Sequence, residues 1–217
     1  MIGTLKQLKK SYISVFLIIV GLLVFVSDFY LYKVRNKSGN PIRSDGIGYY
    51  SYLPAFFKYD DLTFSFVDSI SYADSINMKP CLWTDKEGHI INKYPIGVAI
   101  LESPFYFATD TILKIFSPGR ATGFSKLYQY SICFSAFVYF LLGLWLLYKS
   151  LMSFFDEKTV LLVLTLITFA TSLFHYATLD GCFSHVYSFF LINLFVFLTI
   201  KDFEENSVLF KLCGGGY

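Results

Sequence analysis

Charge is what this chain has least of. Only 16% of its 217 residues are Asp, Glu, Lys or Arg, against 55% hydrophobic and 20% aromatic, with a mean hydropathy of +0.53. A globule of this size cannot hide so much apolar surface from water, which excludes a water-soluble domain and implies an integral membrane protein whose partner is the lipid bilayer. The net charge of +2 is small and the Lys and Arg are dispersed, so no nucleic acid is expected as partner. Histidine is nearly missing, with 3 in the chain, and no His-x-x-x-His or Cys-x-x-Cys pair occurs, which argues against a zinc site. The 4 cysteines share no metal-ligand spacing and imply no disulfide framework. Cys133 and Cys182 lie in or beside apolar runs, where they are expected to serve as small hydrophobes. The metal chemistry left open is a divalent hard cation on carboxylates, and no metal ligand set is assigned. No internal repeat is visible, and the one low-complexity stretch is the C-terminal Gly214 to Tyr217.

What is present is a series of long apolar runs. Tyr12 to Val26, preceded by Lys6, Lys9 and Lys10 and extended by the aromatic end around Tyr32, supplies the roughly 20 residues a bilayer requires. No small-x-small cleavage site follows, so the segment reads as a retained anchor with a cytoplasmic N-terminus. Tyr128 to Tyr148, Thr159 to His175 and Phe183 to Ile200 follow as further spans. The expected fold is therefore an all-α membrane domain over residues 1–217, with about four transmembrane helices (12–32, 128–148, 159–175, 183–200) and an outer loop at 33–127. Lys149, Lys158, Lys201 and Lys211 then fall on the cytoplasmic side, as the positive-inside rule requires, although Lys33, Arg35 and Lys37 beside the first span count against it. A bacterial inner membrane is the expected location. A further apolar run, Val208 to Leu212, begins near the end, so the chain reads as the front portion of a longer protein.

Within the loop, Pro95 to Phe116 is apolar enough to compete as a fifth span, which would invert everything downstream. At 100° per residue, however, Glu102, Ser103, Tyr106, Thr109, Asp110, Lys114 and Ser117 share one arc. Each ionisable group at bilayer depth would cost about 2.5 to 3.5 kcal/mol, so a helix lying in the interface is the better reading. Asp110 and Lys114, four apart, can pair with each other. Asp60 and Asp61 are adjacent and point apart, so they are read as solvated.

The chemistry concentrates at Arg43-Ser-Asp-Gly-Ile-Gly-Tyr-Tyr50, which puts Asp45 in a Gly-rich turn ahead of an aromatic run. Two readings of Asp45 stand side by side: a catalytic carboxylate, or a turn or N-cap residue for the helix that follows. Asp45-Gly46, Tyr49-Tyr50, Leu53-Pro-Ala55, Lys93-Tyr-Pro-Ile-Gly97 and Ser184-His185 together resemble the N-terminal part of GT-C superfamily membrane glycosyltransferases, such as the protein O-mannosyltransferases and the aminoarabinose transferase. The resemblance implies sugar transfer from a polyprenyl-phosphate-linked donor to an acceptor hydroxyl, with Asp45 as general base. The better-known relatives often carry a second acid where this chain has Gly46, which leaves metal use and acceptor class open. In such a site Arg43 and Lys93 are candidates for the leaving phosphate, and Tyr49, Tyr50 and Tyr94 for sugar or lipid contacts. Glu102, Asp180 and His185 complete the candidate substrate-binding set.

Each of these has a plainer alternative. The tyrosines can be interface-belt aromatics, Arg43 and Lys93 can be simply solvated, and Asp180 and His185 can form an outward-facing polar cluster. The rival function is a non-catalytic membrane subunit or lipid-carrier binder. Asn36-Lys-Ser38 fits the N-glycosylation acceptor pattern, which matters only in a eukaryotic lumen.

Overall fold

The computed structural model describes residues 12–35, 40–68 and 82–206. Asn36 to Ser38, Cys81, Cys213 and the run from Val208 lie outside them. The described chain is mostly helical: α1 (Tyr12–Arg35), the short α2 (Asp45–Tyr50) and α3 (Tyr52–Phe57), α4 (Gly97–Phe116), α5 (Lys126–Leu151), α6 (Glu157–Phe169), α7 (Leu173–Thr178) and α8 (Ser184–Asn206). One correction to the all-α expectation lies between α3 and α4, where β1 (Leu82–Thr84) pairs antiparallel with β2 (Ile90–Asn92). Asp85 makes this hairpin turn: its Oδ1 accepts from the backbone N–H of Glu87 (2.9 Å) and of His89 (2.8 Å).

Two helices, α5 and α8, are long and apolar enough to cross a membrane, and α1 adds a shorter apolar stretch over Tyr12–Ser27. The expected span 159–175 is not one helix. It breaks after Phe169 and resumes as α7. The β-branched and hydroxyl run Thr168, Thr171, Ser172 is where the ladder gives way, with the Thr171 hydroxyl turned back to the Ile167 carbonyl at 2.6 Å and accepting from the Leu173 N–H at 3.1 Å. α6 begins crisply because Asp156 caps it, Oδ1 accepting from the N–H of Lys158 (3.0 Å) and Thr159 (3.1 Å).

The spine of the fold is the pair α5 and α8. Ser135 Oγ meets the Tyr187 hydroxyl at 2.8 Å, the ring of Phe189 lies on Gly143, Trp145 meets Phe197, and Ser153 donates to Glu204 at 3.1 Å. These contacts advance in step along both helices, so α5 and α8 run parallel and their N-terminal ends share one end of the molecule. α6 and α7 lead the chain from the end of α5 back to the start of α8, and α1 packs on α5 with Gly21 against Phe137 and Leu141. The outward faces are apolar: Phe195 is 71% exposed, Ile18 62% and Phe134 56%.

α4 is the element whose placement had two readings. Its register on α5 is antiparallel: Asp110 meets Tyr128, the Ser131 hydroxyl donates to the Phe105 carbonyl at 3.0 Å, and Tyr139 donates to the Leu101 carbonyl at 2.9 Å. The segments flanking α4 both touch the short helices: ahead of it Tyr52 donates to the Tyr94 carbonyl at 2.6 Å, and in the connection after it Tyr50 donates to the Gly123 carbonyl and Gly123 sits against Pro54. The C-terminal end of α4 itself is exposed at Ile115 and Phe116. The polar arc read from the sequence faces inward, with Glu102, Tyr106, Thr109 and Asp110 buried, while Ile100, Ile112, Ile115 and Phe116 face out. Pro104 withdraws a donor from the Ile100 carbonyl, and the Ser103 hydroxyl takes that acceptor at 2.8 Å.

Candidate functional site

α2 is six residues long and owes its position to two glycines. A Cβ on Gly46 would lie 2.8 Å from the Cβ of Cys182, so α2 can rest directly on the α7–α8 turn; a Cβ on Gly48 would lie 2.0 Å from the ring of Tyr94, so that ring can lie flat across the helix. Neither approach is open to a larger residue. Asn92 ties the end of β2 to the same helix, its amide donating to the Gly48 carbonyl at 2.8 Å. Just ahead of α2, Ser44 has φ 48° and ψ −131°, a conformation that L residues rarely adopt, and it sits beside the one acid of the stretch.

Asp45 is the first helical residue rather than the cap, and its side chain turns outward to Tyr94, whose hydroxyl donates to Oδ1 at 2.6 Å. Of the two readings of Asp45, the N-cap is not what forms: Ser44 holds that position and makes no side-chain cap. Oδ2 of Asp45 has no hydrogen bond among the described residues. Arg43 reaches across to the α7–α8 turn, with Nη2 donating to Asp180 Oδ1 and to the Leu179 carbonyl, both at 2.9 Å, and Nε to Asp180 Oδ1 at 3.3 Å. Asp180 is thus the anchor of Arg43 as well as a candidate in its own right. Its second oxygen meets Nε2 of His175 at 3.0 Å. Tyr49 stands edge-on to Tyr94 with ring centroids 4.8 Å apart, and its hydroxyl meets Ser184 Oγ at 3.3 Å. Lys93 places its ammonium 5.1 Å from the Tyr94 ring centroid. His185, in the first turn of α8, stacks on Tyr176 at 3.7 Å.

The structure thus gathers Arg43, Asp45, Tyr49, Lys93, Tyr94, Asp180 and His185 around the junction of α2 with the α7–α8 turn. It sends two candidates elsewhere. Tyr50 is wholly buried and spends its hydroxyl on the Gly123 carbonyl, packing against Tyr106 and Phe124, so it is a core residue and cannot meet a sugar or lipid. The side chains of successive helical residues point about 100° apart, which is why Tyr49 and Tyr50 part company. Glu102 is also wholly buried, between α4, α5 and α8, where Tyr187 donates to its Oε1 at 3.2 Å and Oε2 has no partner among the described residues. Burial pushes its carboxyl well above the ordinary value, and the bond from Tyr187 offsets only part of that. Glu102 is accordingly sealed in the core, in surroundings that favour its protonated form, rather than a substrate contact.

Asp110 is the opposite case on the same helix. Burial works against its charge, but bonds from Lys114 at 2.6 Å, from Tyr128, and from Lys58 at 3.1 Å hold it below the usual carboxylate range. The pairing with Lys114 expected from the spacing is present, and Lys58 joins it. Asp61 is not simply solvated as expected: it organises its own turn, accepting from the Thr63 N–H (2.8 Å) and the Ser65 hydroxyl (2.6 Å), and those bonds hold its carboxyl well down.

Sequence reasoning passed over two features. His175 ends an expected span, yet it lies five residues before Asp180 on a helix that ends at the site. Cys133 and Cys182, taken as isolated small hydrophobes, have Sγ atoms 3.4 Å apart. The cysteine pair, 49 residues apart, has no signal in local spacing, and His175 reaches Asp180 only because the expected span breaks before it. Among the described residues, the acidic and histidine side chains whose ligand atoms converge are Asp85, Glu87 and His89 of the hairpin, all within 4.8 Å. Asp85 is already committed there, its Oδ2 meeting His89 Nδ1 at 2.9 Å. Comparison with protein family models, with curated proteins and with solved structures finds no match for this chain.

Proposed function

We propose that this chain is a multi-pass membrane glycosyltransferase of the GT-C type, or the catalytic front of one, in a bacterial inner membrane with its N-terminus in the cytoplasm. In this reading α1, α5, the broken pair α6–α7, and α8 make four crossings. α2 to α4 form a layer at the outer surface, with the apolar face of α4 toward lipid. Two features support the topology: the apolar outward faces of α1, α5 and α8, and the placement of Lys149, Lys158 and Lys201 together at the other end.

The observation that carries the function is Asp45 itself. It is a carboxylate with one oxygen fixed by Tyr94 and the other uncommitted, in a strained turn, beside a guanidinium held by a neighbouring acid. Asp45 Oδ2 takes the proton of the acceptor hydroxyl as that oxygen attacks the anomeric carbon of a polyprenyl-phosphate-linked sugar. The bond from that carbon to the phosphate oxygen breaks with inversion, and the lipid phosphate leaves with the electron pair. Arg43 and Lys93 supply positive charge for the leaving phosphate, while Tyr49, Tyr94 and His185 offer faces and hydroxyls to the sugar. Asp180 and His175 hold Arg43 in place. A divalent cation remains open as an addition on the phosphate. The test is transfer from a radiolabelled polyprenyl-phosphate sugar in membranes: Asp45→Asn is expected to lose at least about 100-fold in rate while inserting normally. Full transfer by that variant would overturn the assignment.

One observation favours a second reading, that of a lipid-carrier binder without turnover. Arg43 already spends two of its nitrogens on Asp180 and Leu179, so a phosphate must compete with a carboxylate for it. Tight binding of polyprenyl phosphate without transfer from any sugar donor would select that reading.

A further inference from the structure

The Sγ atoms of Cys133 on α5 and Cys182 in the α7–α8 turn are 3.4 Å apart, though the residues are 49 apart in the chain. Neither cysteine is in a disulfide, and Cys182 is buried while Cys133 is partly exposed. What distinguishes this pair from two thiols that merely drift near each other is the way the backbone around them is seated. A Cβ on Gly181 would come 3.2 Å from the Cβ of Ala136, one helical turn along the same face of α5 from Cys133, and the Cβ of Cys182 is met from the other side by Gly46. The turn is therefore clamped between α2 and α5 with the two sulfurs face to face. A disulfide needs a bond of about 2.05 Å, so from this separation the two sulfurs have little more than an ångström to close.

We propose that Cys133 and Cys182 are a dithiol pair that closes to a disulfide by exchange with a small disulfide, and that this cross-link pins the α7–α8 turn to α5. Cys133, the more accessible, attacks one sulfur of the small disulfide as its thiolate and expels the other half as a thiolate. The Cys182 thiolate then attacks Sγ of Cys133 and expels the second half. The two protons given up by the cysteines go to the leaving thiolates, so two thiols and one disulfide become one protein disulfide and two small thiols. The structural consequence falls on the candidate site, because the pinned turn carries Asp180, which holds Arg43, and leads into Ser184, which meets Tyr49. Oxidation fixes this wall, and reduction leaves it held by non-covalent contacts alone.

The experiment needs no sugar transfer and so stands or falls apart from the proposed activity. The full chain in detergent, with Cys81 and Cys213 replaced by Ser, is treated with dithiodipyridine, whose released pyridinethione counts the thiols consumed. Closure predicts two pyridinethiones per chain, no pyridyl group retained, and a peptide linking Cys133 to Cys182 by mass spectrometry without reduction. It also predicts an unfolding midpoint several degrees higher that falls back on adding a reductant. Cys182→Ser, which keeps the Cβ, should instead release one equivalent and retain one pyridyl group on Cys133, and Cys133→Ser, which leaves only the buried Cys182, should react far more slowly in the folded chain. Retention of pyridyl on either cysteine of the unsubstituted pair, or thiols that react only after denaturation, would overturn the proposal.

Discussion

Two carboxyl groups in this molecule each accept a hydrogen bond from a tyrosine, and they have opposite fates. Asp45 takes the Tyr94 hydroxyl at 2.6 Å at a partly open edge with its other oxygen uncommitted; Glu102 takes the Tyr187 hydroxyl at 3.2 Å in a fully buried space between three helices. The partner chemistry is the same, so it does not decide what the acid can do. Solvation and access decide it: burial raises the carboxyl of Glu102 and favours its protonated form in a link between α4 and α8, while Asp45 keeps one oxygen at an open edge.

The comparison can be broken most forcefully at Asp45, where Asn should abolish transfer without lowering the unfolding midpoint by more than about 0.5 kcal/mol equivalent. A change of stability comparable to that of a core variant would place Asp45 in the same class as Glu102. Next in size is Gly48→Ala. Its Cβ would sit 2.0 Å from the Tyr94 ring, so the ring must leave Asp45 or α2 must shift; a loss of about 1–3 kcal/mol is expected together with most of the activity. Tyr94→Ala added to Gly48→Ala should recover stability but not transfer, a pattern that a circular dichroism melt and a transfer assay separate.

Asp180→Asn is expected to be intermediate. It leaves a neutral acceptor for an Arg43 that is 44% exposed, so stability should change by less than about 1 kcal/mol while donor binding weakens, seen as a raised KM. The smallest effect in magnitude, though distinctive in form, concerns Glu102→Gln. The folded carboxyl binds its proton more tightly than the unfolded one, so its contribution to stability is complete below about pH 4.3 and is lost as pH rises toward the higher folded value. Gln should remove that decline, giving a flatter stability profile between pH 4 and 8. Asp110 should show the reverse sign, contributing above about pH 3.9 and losing that contribution as pH falls toward its lower folded value, a trend that Asp110→Asn would erase.

Much of the helical layout could be read from runs of apolar residues, because a long apolar stretch has few alternatives: 128–148 lies inside α5, and 183–200 lies inside α8 but for its first residue. The break at Ala170 to Ser172 escaped, since hydropathy cannot distinguish one span from two helices in series. The polar arc of α4 was visible at 100° spacing, but which way it faced was not; in water it would point out, and here it points in because its neighbours α5 and α8 supply the partners. Asp45 and its Gly-rich surroundings announced themselves locally. Tyr50 did not, because only the three-dimensional packing separates the core face of α2 from its open face. The roles of Gly46 and Gly48 likewise depend on Cys182 and Tyr94, which are distant in sequence and invisible to any local pattern.

The ion pair between Arg43 and Asp180 joins residues 137 positions apart. In a chain made from its N-terminus this sets an order of events. α2 can form as soon as it is synthesised, but Arg43 has no partner in the α7–α8 turn until nearly all of the described helices have been made and inserted. Long-range closure of this kind is slow to reward the elements it joins. A ribosome-stalled nascent chain ending before Leu179 should therefore carry α2 with Arg43 lacking its anchor in the α7–α8 turn.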